Sequence, residues 1–335
     1  MKKIIRTSFI SLFLLMFLFV NIADASELTF SVSAIIPENQ VDKNQTYFDL
    51  RMKPKQKQTV EVVLRNDTKK DVTIEVLINR AVTNNNGIID YSQKNHKADS
   101  SLKYNIEDLV TSEKEITIPA QSSKKLPIHI EMPNEEFNGI LLGGIHFQEK
   151  EKQKQTKKNV QIENKFAYVV GIVLSMNDKE VKPSLQLNKI KPAQVNYRNV
   201  ITANLQNTEP TMLKPLSIDA KIYKENGDKV LYKTKQENMR MSPNSNFNFA
   251  IPLNNQEMKK GTYRLELEAT DGNQKWKWDK NFTIDGDVAK DFNKQAVGLQ
   301  KDYTIWYIIG GILLVLLLLV LVYWLGRRSK KQLSE

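Results

Sequence analysis

Between residues 59 and 284 much of the chain alternates apolar and polar positions with a period of two, the repeat of a strand buried on one face. Val60, Val62 and Leu64 alternate with Thr59, Glu61 and Val63, and Val72, Ile74, Val76 and Ile78 with Asp71, Thr73, Glu75 and Leu77. Leu126, Ile128, Ile130 and Met132 face one way while Pro127, His129 and Glu131 face the other. Helical spacing is confined to Leu102, Ile106 and Leu109, with Ser100 as the predicted cap. Asn84-Asn85-Asn86-Gly87 reads as a turn.

The run Phe137-Asn138-Gly139-Ile140-Leu141-Leu142-Gly143-Gly144-Ile145-His146-Phe147 predicts an apolar central strand that bends or admits a close neighbour at its glycine pair. After it, 148–161 is nearly all Lys, Glu and Gln, and fits either an interdomain linker or a long hairpin loop. The hairpin is favoured because 166–174 is a further apolar strand that would complete the first sheet. The first domain is therefore expected over 26–178.

A second β-domain is expected over 179–285. Leu216, Ile218, Ala220 and Ile222 form a strand closed by the turn Glu225-Asn226-Gly227-Asp228, and 261–269 turns at Asp271-Gly272 into a last strand with Trp276, Trp278, Phe282 and Ile284 in phase. Seven or so strands, with Gly261-Thr262-Tyr263 entering the penultimate one, suggest an immunoglobulin-like sandwich with Tyr263 as a corner residue. The expected fold class is all-β: two tandem immunoglobulin-like β-sandwich domains between a signal peptide and one C-terminal transmembrane α-helix.

The ends of the chain break the alternation. Residues 305–325 are continuously apolar or aromatic; as a helix they would span roughly 31 Å, the thickness of a bilayer core. Trp306 and Tyr307 at one rim and Tyr323 and Trp324 at the other suit the headgroup zones, and the basic tail 326–335, with Arg327 and Arg328, is expected in the cytoplasm. At the start, Lys2, Lys3 and Arg6 precede a short apolar run over 9–20, and Ala23-Asp24-Ala25 offers a signal-peptidase site between Ala25 and Ser26. The expectation is a single-pass type I protein of the cell membrane with an extracellular ectodomain. Residues 286–304 read as a polar stalk.

The chain has no cysteine, which argues against a disulfide-stapled ectodomain and against thiolate chemistry, and favours a bacterial origin. Of the net charge of +11 the signal contributes +2 (three bases less Asp24) and the tail +3 (four bases less Glu335), leaving +6 on the ectodomain. That mild excess suits anionic wall polymers or simply keeps strand edges soluble; nucleic acid does not fit a protein on the outer membrane face. His96, His129 and His146 lack metal-ligand spacing, and no nucleophile elbow or phosphate loop occurs. Asp285-Gly286-Asp287 with Asp291 lacks the alternating ligands and terminal Glu of a calcium loop. No enzyme activity, metal or cofactor is expected. Trp276 and Trp278 could stack on sugars or grip a partner, but Phe282 and Ile284 continue their face and favour core packing.

The Gly-Gly strand, Phe166-Ala167-Tyr168-Val169-Val170-Gly171, Met241-Ser242-Pro243-Asn244-Ser245-Asn246-Phe247 and Gly261-Thr262-Tyr263 together resemble the WxL-interacting proteins of Gram-positive bacteria. The resemblance implies a non-enzymatic surface adaptor: a first domain associated with peptidoglycan, a second with host-matrix proteins, and secreted Trp-x-Leu-motif proteins as partners. The chain carries no Trp-x-Leu of its own. Candidate contact residues are Phe137, Asn138, Gly143, Gly144, Trp276 and Trp278, to none of which the resemblance assigns a role. The rival readings are an extracytoplasmic chaperone or assembly factor for secreted surface proteins and a wall-glycan hydrolase.

Overall fold

The computed structural model describes residues 29–94, 96–150, 166–300 and 304–332. The expected signal peptide with its Ala25–Ser26 junction, and most of the charged segment 148–161, lie outside the described residues. Two compact units form, and neither is contiguous. The first comprises Met1–Arg80, Tyr104–Phe137 and Leu141–Asp178; the second comprises Ala81–Lys103, Asn138–Ile140 and Lys179–Glu335.

In the first unit a four-stranded sheet orders β1 (Ser31–Ile35), β3 (Lys57–Asn66), β9 (Ser122–Glu131) and β7 (Val110–Thr111). A five-stranded sheet orders β2 (Phe48–Arg51), β11 (Ala167–Ser175), β10 (Ile140–Glu149), β4 (Val72–Arg80) and β8 (Glu115–Ile118). One core lies between them: Val62, Leu64, Leu126 and Ile128 from the first sheet meet Phe48, Ile74, Phe147 and Ile172 from the second. The inward positions are those the alternation marked, because a period of two sends every second side chain to the same face. β10 and β11 are neighbours in one sheet, so the charged segment joins two strands of the first unit.

The predicted helix is shorter and starts later. It is α1 (Ile106–Leu109), capped by Asn105, whose side chain accepts from Glu107 N at 3.3 Å. Leu102 belongs instead to a turn that its N–H closes on Asp99 O at 3.1 Å.

The second unit packs a three-stranded sheet, β12 (Leu185–Val195), β13 (Arg198–Asn207) and β16 (Ser245–Pro252), on a four-stranded one. The latter orders β15 (Val230–Met241), β14 (Leu213–Lys224), β17 (Gly261–Thr270) and β18 (Lys275–Ile284). Ala203, Leu205, Phe247 and Phe249 meet Ile218, Ala220, Leu265 and Leu267 in its core. Tyr263 Oη donates to Lys259 O, four residues upstream, at 2.8 Å, the bond of a tyrosine corner in an immunoglobulin-like sandwich.

The expected stalk is mostly folded. Asp285 accepts from Asp287 N and Val288 N and so caps α2 (Gly286–Gln295), which buries Ala289 against the second core. Asn293 binds that helix down: its Oδ1 accepts from Met258 N and Asn199 Nδ2, both at 2.8 Å, and its Nδ2 donates to Met258 O at 2.9 Å. After it comes α3 (Thr304–Gln332). Among the described residues no helix is long and apolar enough to cross a membrane; the side chains described in α3 are those of 307–323, all exposed, and the apolar run continues in sequence to 305 and 325.

Candidate functional site: a polar clamp around the Ser-Pro-Asn-Ser turn

Met241-Ser242-Pro243-Asn244-Ser245-Asn246 joins β15 to β16, and it grips the segment Ala81–Lys103 from within the second unit. That segment opens with the two-residue strands β5 (Val82–Thr83) and β6 (Ile89–Asp90), a small hairpin. Asn84 shapes its turn by accepting from Asn86 N at 3.0 Å and Ile88 N at 3.2 Å. Gly87 has φ 68°, and its carbonyl accepts from Arg240 N at 2.7 Å. A side chain there would be strained and would also meet Met239.

The grip is made of hydrogen bonds. Ser242 N donates to Thr83 Oγ1 at 3.0 Å and Ser242 Oγ to Ala81 O at 3.0 Å, while the Thr83 and Ser245 hydroxyls lie 2.6 Å apart. Asn244 Nδ2 donates to Ser101 O and Ser101 Oγ, each at 3.1 Å, and to Thr208 O at 2.8 Å. Asn248 N donates to Asn85 Oδ1 at 3.0 Å. Asp99 closes the set: Gln206 Nε2 donates to its Oδ1 at 2.6 Å and Asn246 Nδ2 to its Oδ2 at 2.5 Å, and Ser101 adds its N–H and hydroxyl at 3.0 and 2.8 Å. Thr83, Ser242, Asn244 and Ser245 are buried, and each has found partners, as buried polar groups must.

Burial is the largest single influence on the Asp99 carboxyl and opposes its ionisation. The hydrogen bonds from Ser101, Asn246 and Gln206 together outweigh it and hold the group below its ordinary range. The hydrogen bonds of this cluster run to the chain itself. The clamp fixes conformation, and the Ser-Pro-Asn-Ser run is explained by what it holds.

The sequence-derived contact candidates are not brought together. Phe137 packs half-buried on the first core with its ring 5.8 Å from that of Tyr104. Asn138 is exposed and belongs to the second unit. Gly143 and Gly144 are buried in β10, in unbroken register with Arg80 and Asn79. The glycine pair therefore admits a neighbour without a bulge against β4: a Cβ on Gly143 would stand 2.8 Å from both Asn79 O and Ile106 Cγ2. Trp276 and Trp278 are half-buried and pack against the second core. Tyr307 and Tyr323 are exposed on α3, whereas the side chains of Trp306, Trp324, Arg327 and Arg328 lie outside the described residues.

His146 is buried in β10, His129 is exposed with Nδ1 3.0 Å from Thr59 Oγ1, and His96 is exposed in the segment 81–103. Among the described residues no three His, Cys, Asp or Glu are grouped to hold a metal ion.

Among the described residues two surfaces stand out. The outer face of the four-stranded sheet of the second unit bears a groove of about 670 Å³ lined by Asp219, Lys221, Lys235, Glu237, Glu266 and Lys277. Its charges are mixed, paired across strands at Lys277–Glu268 and within β15 at Lys235–Glu237. Burial resists the ionisation of Glu266, but bonds from Tyr223 and Arg264 prevail and lower its pKa. In the first unit β1 is, among the described residues, an edge strand paired only with β3, and Ser31-Val32-Ser33-Ala34-Ile35 has no charge and no proline. Such edges are usually guarded. β15 carries Lys233, Lys235 and Glu237, β18 carries Lys275, Lys277 and Lys280, and β12 carries Lys189, Lys191 and Pro192.

No curated protein matches the chain. Among solved structures it is similar to the YadV chaperone (11% identity, 77% of this chain and 100% of that one, TM-score 0.30). It is similar also to a chain of the Salmonella enterica SafA pilin–SafB chaperone complex (7%, 78% and 99%, TM-score 0.31) and to one of the Acinetobacter baumannii CsuC–CsuE chaperone–adhesion subunit complex (11%, 75% and 98%, TM-score 0.32). Residues 30–149 match the model of the WxL Interacting Protein peptidoglycan binding domain, and residues 157–294 that of the WxL Interacting Protein host binding domain. The border between the two models falls before β11, a strand that hydrogen bonding places in the sheet of the first unit. With both matches together spanning most of its length, the chain belongs to the WxL-interacting protein family.

Proposed function

We propose that this protein is a membrane-anchored adaptor of the bacterial cell surface that binds peptidoglycan through its first unit and host-matrix components through its second, without catalysis. The observation that carries the reading is the pair of family matches, one named for each kind of binding. Secreted Trp-x-Leu proteins are the further partners, and the unguarded edge of β1 suits their capture by strand addition.

The anchor is the apolar run 305–325. Supporting it are the helical backbone of α3 and the exposure of every apolar side chain described along it, a surface that water disfavours and lipid does not. Cleavage between Ala25 and Ser26 would leave the two units outside the membrane and the basic tail inside it.

The test is co-sedimentation of the ectodomain 26–300 with purified insoluble peptidoglycan, together with its capture of secreted Trp-x-Leu proteins from culture medium. Retention of both supports the adaptor. An ectodomain that stays in the supernatant and captures none of these proteins ends it.

A further inference from the structure

One end of the second sandwich gathers exposed apolar residues where the chain departs for α3. Asn196 and Tyr197 form the two-residue turn between β12 and β13, with φ 50° and 58°. Two positive φ angles make a primed turn, a setting for Asn and Gly rather than for a bulky ring. Yet Tyr197 stands there 65% exposed, flanked by Val195 at 42% and Val297 at 52%. Val297 N donates to Tyr197 O at 2.9 Å, and Arg198 Nη1 donates to Asn255 Oδ1 at 2.7 Å.

The chain stays tied to this end until Gln300, whose N–H donates to Asn255 O at 2.8 Å, and α3 begins at Thr304. Four Cα steps of 3.8 Å cover at most about 15 Å. The sequence suggests a stalk of nineteen residues; only three separate Gln300 from Thr304.

We propose that this end of the second unit, with Tyr197, Val195 and Val297 at its tip and Arg198 beside them, rests in the headgroup layer of the bilayer. The proposal depends on reading 305–325 as the membrane span. Given that span, four Cα steps cannot hold the tip far from the lipid, and contact becomes an intramolecular event that modest gains suffice to drive. A tyrosine and two valines suit the headgroup zone, and an arginine suits lipid phosphate. The unit then stands directly on the membrane.

The absence of native cysteine makes the test direct. Tyr197→Cys and Val297→Cys place a single nitroxide at the tip, the second with the tyrosine retained. Asn273→Cys places one in the exposed β17–β18 turn, the length of a ten-residue strand away, about 33 Å. The full chain is reconstituted in phosphatidylcholine–phosphatidylglycerol vesicles, and accessibility to a water-soluble nickel chelate and to oxygen is read at each site. The expected result is a loss of chelate access at 197 and 297, with 273 as accessible as in water. Equal access at all three sites in vesicles that retain the chain through alkaline carbonate overturns the proposal and leaves the anchor standing. Carbonate extraction of the chain removes the anchor reading, and the proposal with it. Shielding accompanied by spin–spin broadening that fades on dilution with lipid would assign the tip to a second copy of the chain and also overturn the proposal.

Discussion

Asp99→Ala should loosen the second unit, although Asp99 lies more than a hundred residues from the strands it serves. The substitution removes the acceptor of Gln206 Nε2, Asn246 Nδ2 and both Ser101 donors. Hydrogen bonds to a charged group contribute about 1.5–3 kcal/mol each when sheltered. Asp99 is only half-buried, so water takes over part of that role, and the discounted loss is about 2–3 kcal/mol. For a domain of this size that corresponds to a fall in melting temperature of roughly 4–12 °C.

Scanning calorimetry of the ectodomain 26–300 measures it, and limited trypsinolysis at Lys94 and Lys97 reports whether the segment has come loose. The pH dependence is set by the sign of the shift. The folded carboxyl is held below its unfolded value, about 3.9, so its contribution is present above that pH and is lost as pH falls through the folded value. The gap between wild type and Asp99→Ala should therefore close in acid, below about pH 4. An Asp99→Ala protein that melts within a degree of wild type and resists trypsin equally at Lys94 and Lys97 would refute the clamp as a source of stability.

Other elements of the two units respond to substitution and truncation in equally definite ways. A fragment of residues 179–300 lacks Ala81–Lys103 and should melt lower than the second unit of the ectodomain, with partial recovery on adding a synthetic 81–103 peptide; calorimetry with and without the peptide checks both. Gly143→Ala should cost about 1–3 kcal/mol by overpacking β10 against Asn79 O and Ile106, read by urea denaturation of the ectodomain. Ser31→Lys with Ser33→Lys should guard the β1 edge, since both side chains are exposed; capture of Trp-x-Leu proteins should fall while the melting temperature holds, and undiminished capture would place their site elsewhere.

The part of the fold legible in the sequence is the part that period two encodes. Leu126, Ile128, Ile130 and Met132 are all buried, as the alternation requires, and Tyr263 makes its corner bond. Segments without a period are opaque. Residues 81–103, expected within the first domain, show in sequence only the Asn84-Asn85-Asn86-Gly87 turn and the start of a predicted helix at Ser100 and Leu102, and neither points to the second domain. The segment's partners are amide and hydroxyl groups on β13, β16 and the turn between β15 and β16, more than a hundred positions away, and no local pattern reveals such pairs. Asp285-Gly286-Asp287 does contain a readable signal, a cap residue with an acidic first turn, but the polarity of residues 290–295 suggests a stalk. The helix is polar because only one narrow stripe, around Ala289 and Phe292, meets the core.

The strand directions of the second unit limit where a soluble partner can bind. β13 runs from Arg198 at the tyrosine turn to Asn207, whose Nδ2 donates to Ser242 O at 3.1 Å, so the clamp and the tip occupy opposite ends of the same sandwich. The clamp end is filled by Ala81–Lys103, and the tip end, on the proposal above, by lipid. What is left is lateral: the edges of the two sheets and the outer face of β15-β14-β17-β18. The edges of β12, β15 and β18 bear lysines that discourage strand addition, and on the fourth edge, β16, the Asn248 N–H is already taken by Asn85 Oδ1. The outer face bears paired charges around a groove, among them Lys277 with Glu268 at 2.7 Å and Lys235 with Glu237 at 2.5 Å. A partner of mixed charge that exchanges these exposed pairs for its own gives up little, because each pair is worth little in water. For the second unit, recognition by the sheet face is thus favoured over recognition by the loops at either end, the reverse of the antibody arrangement on the same type of sandwich.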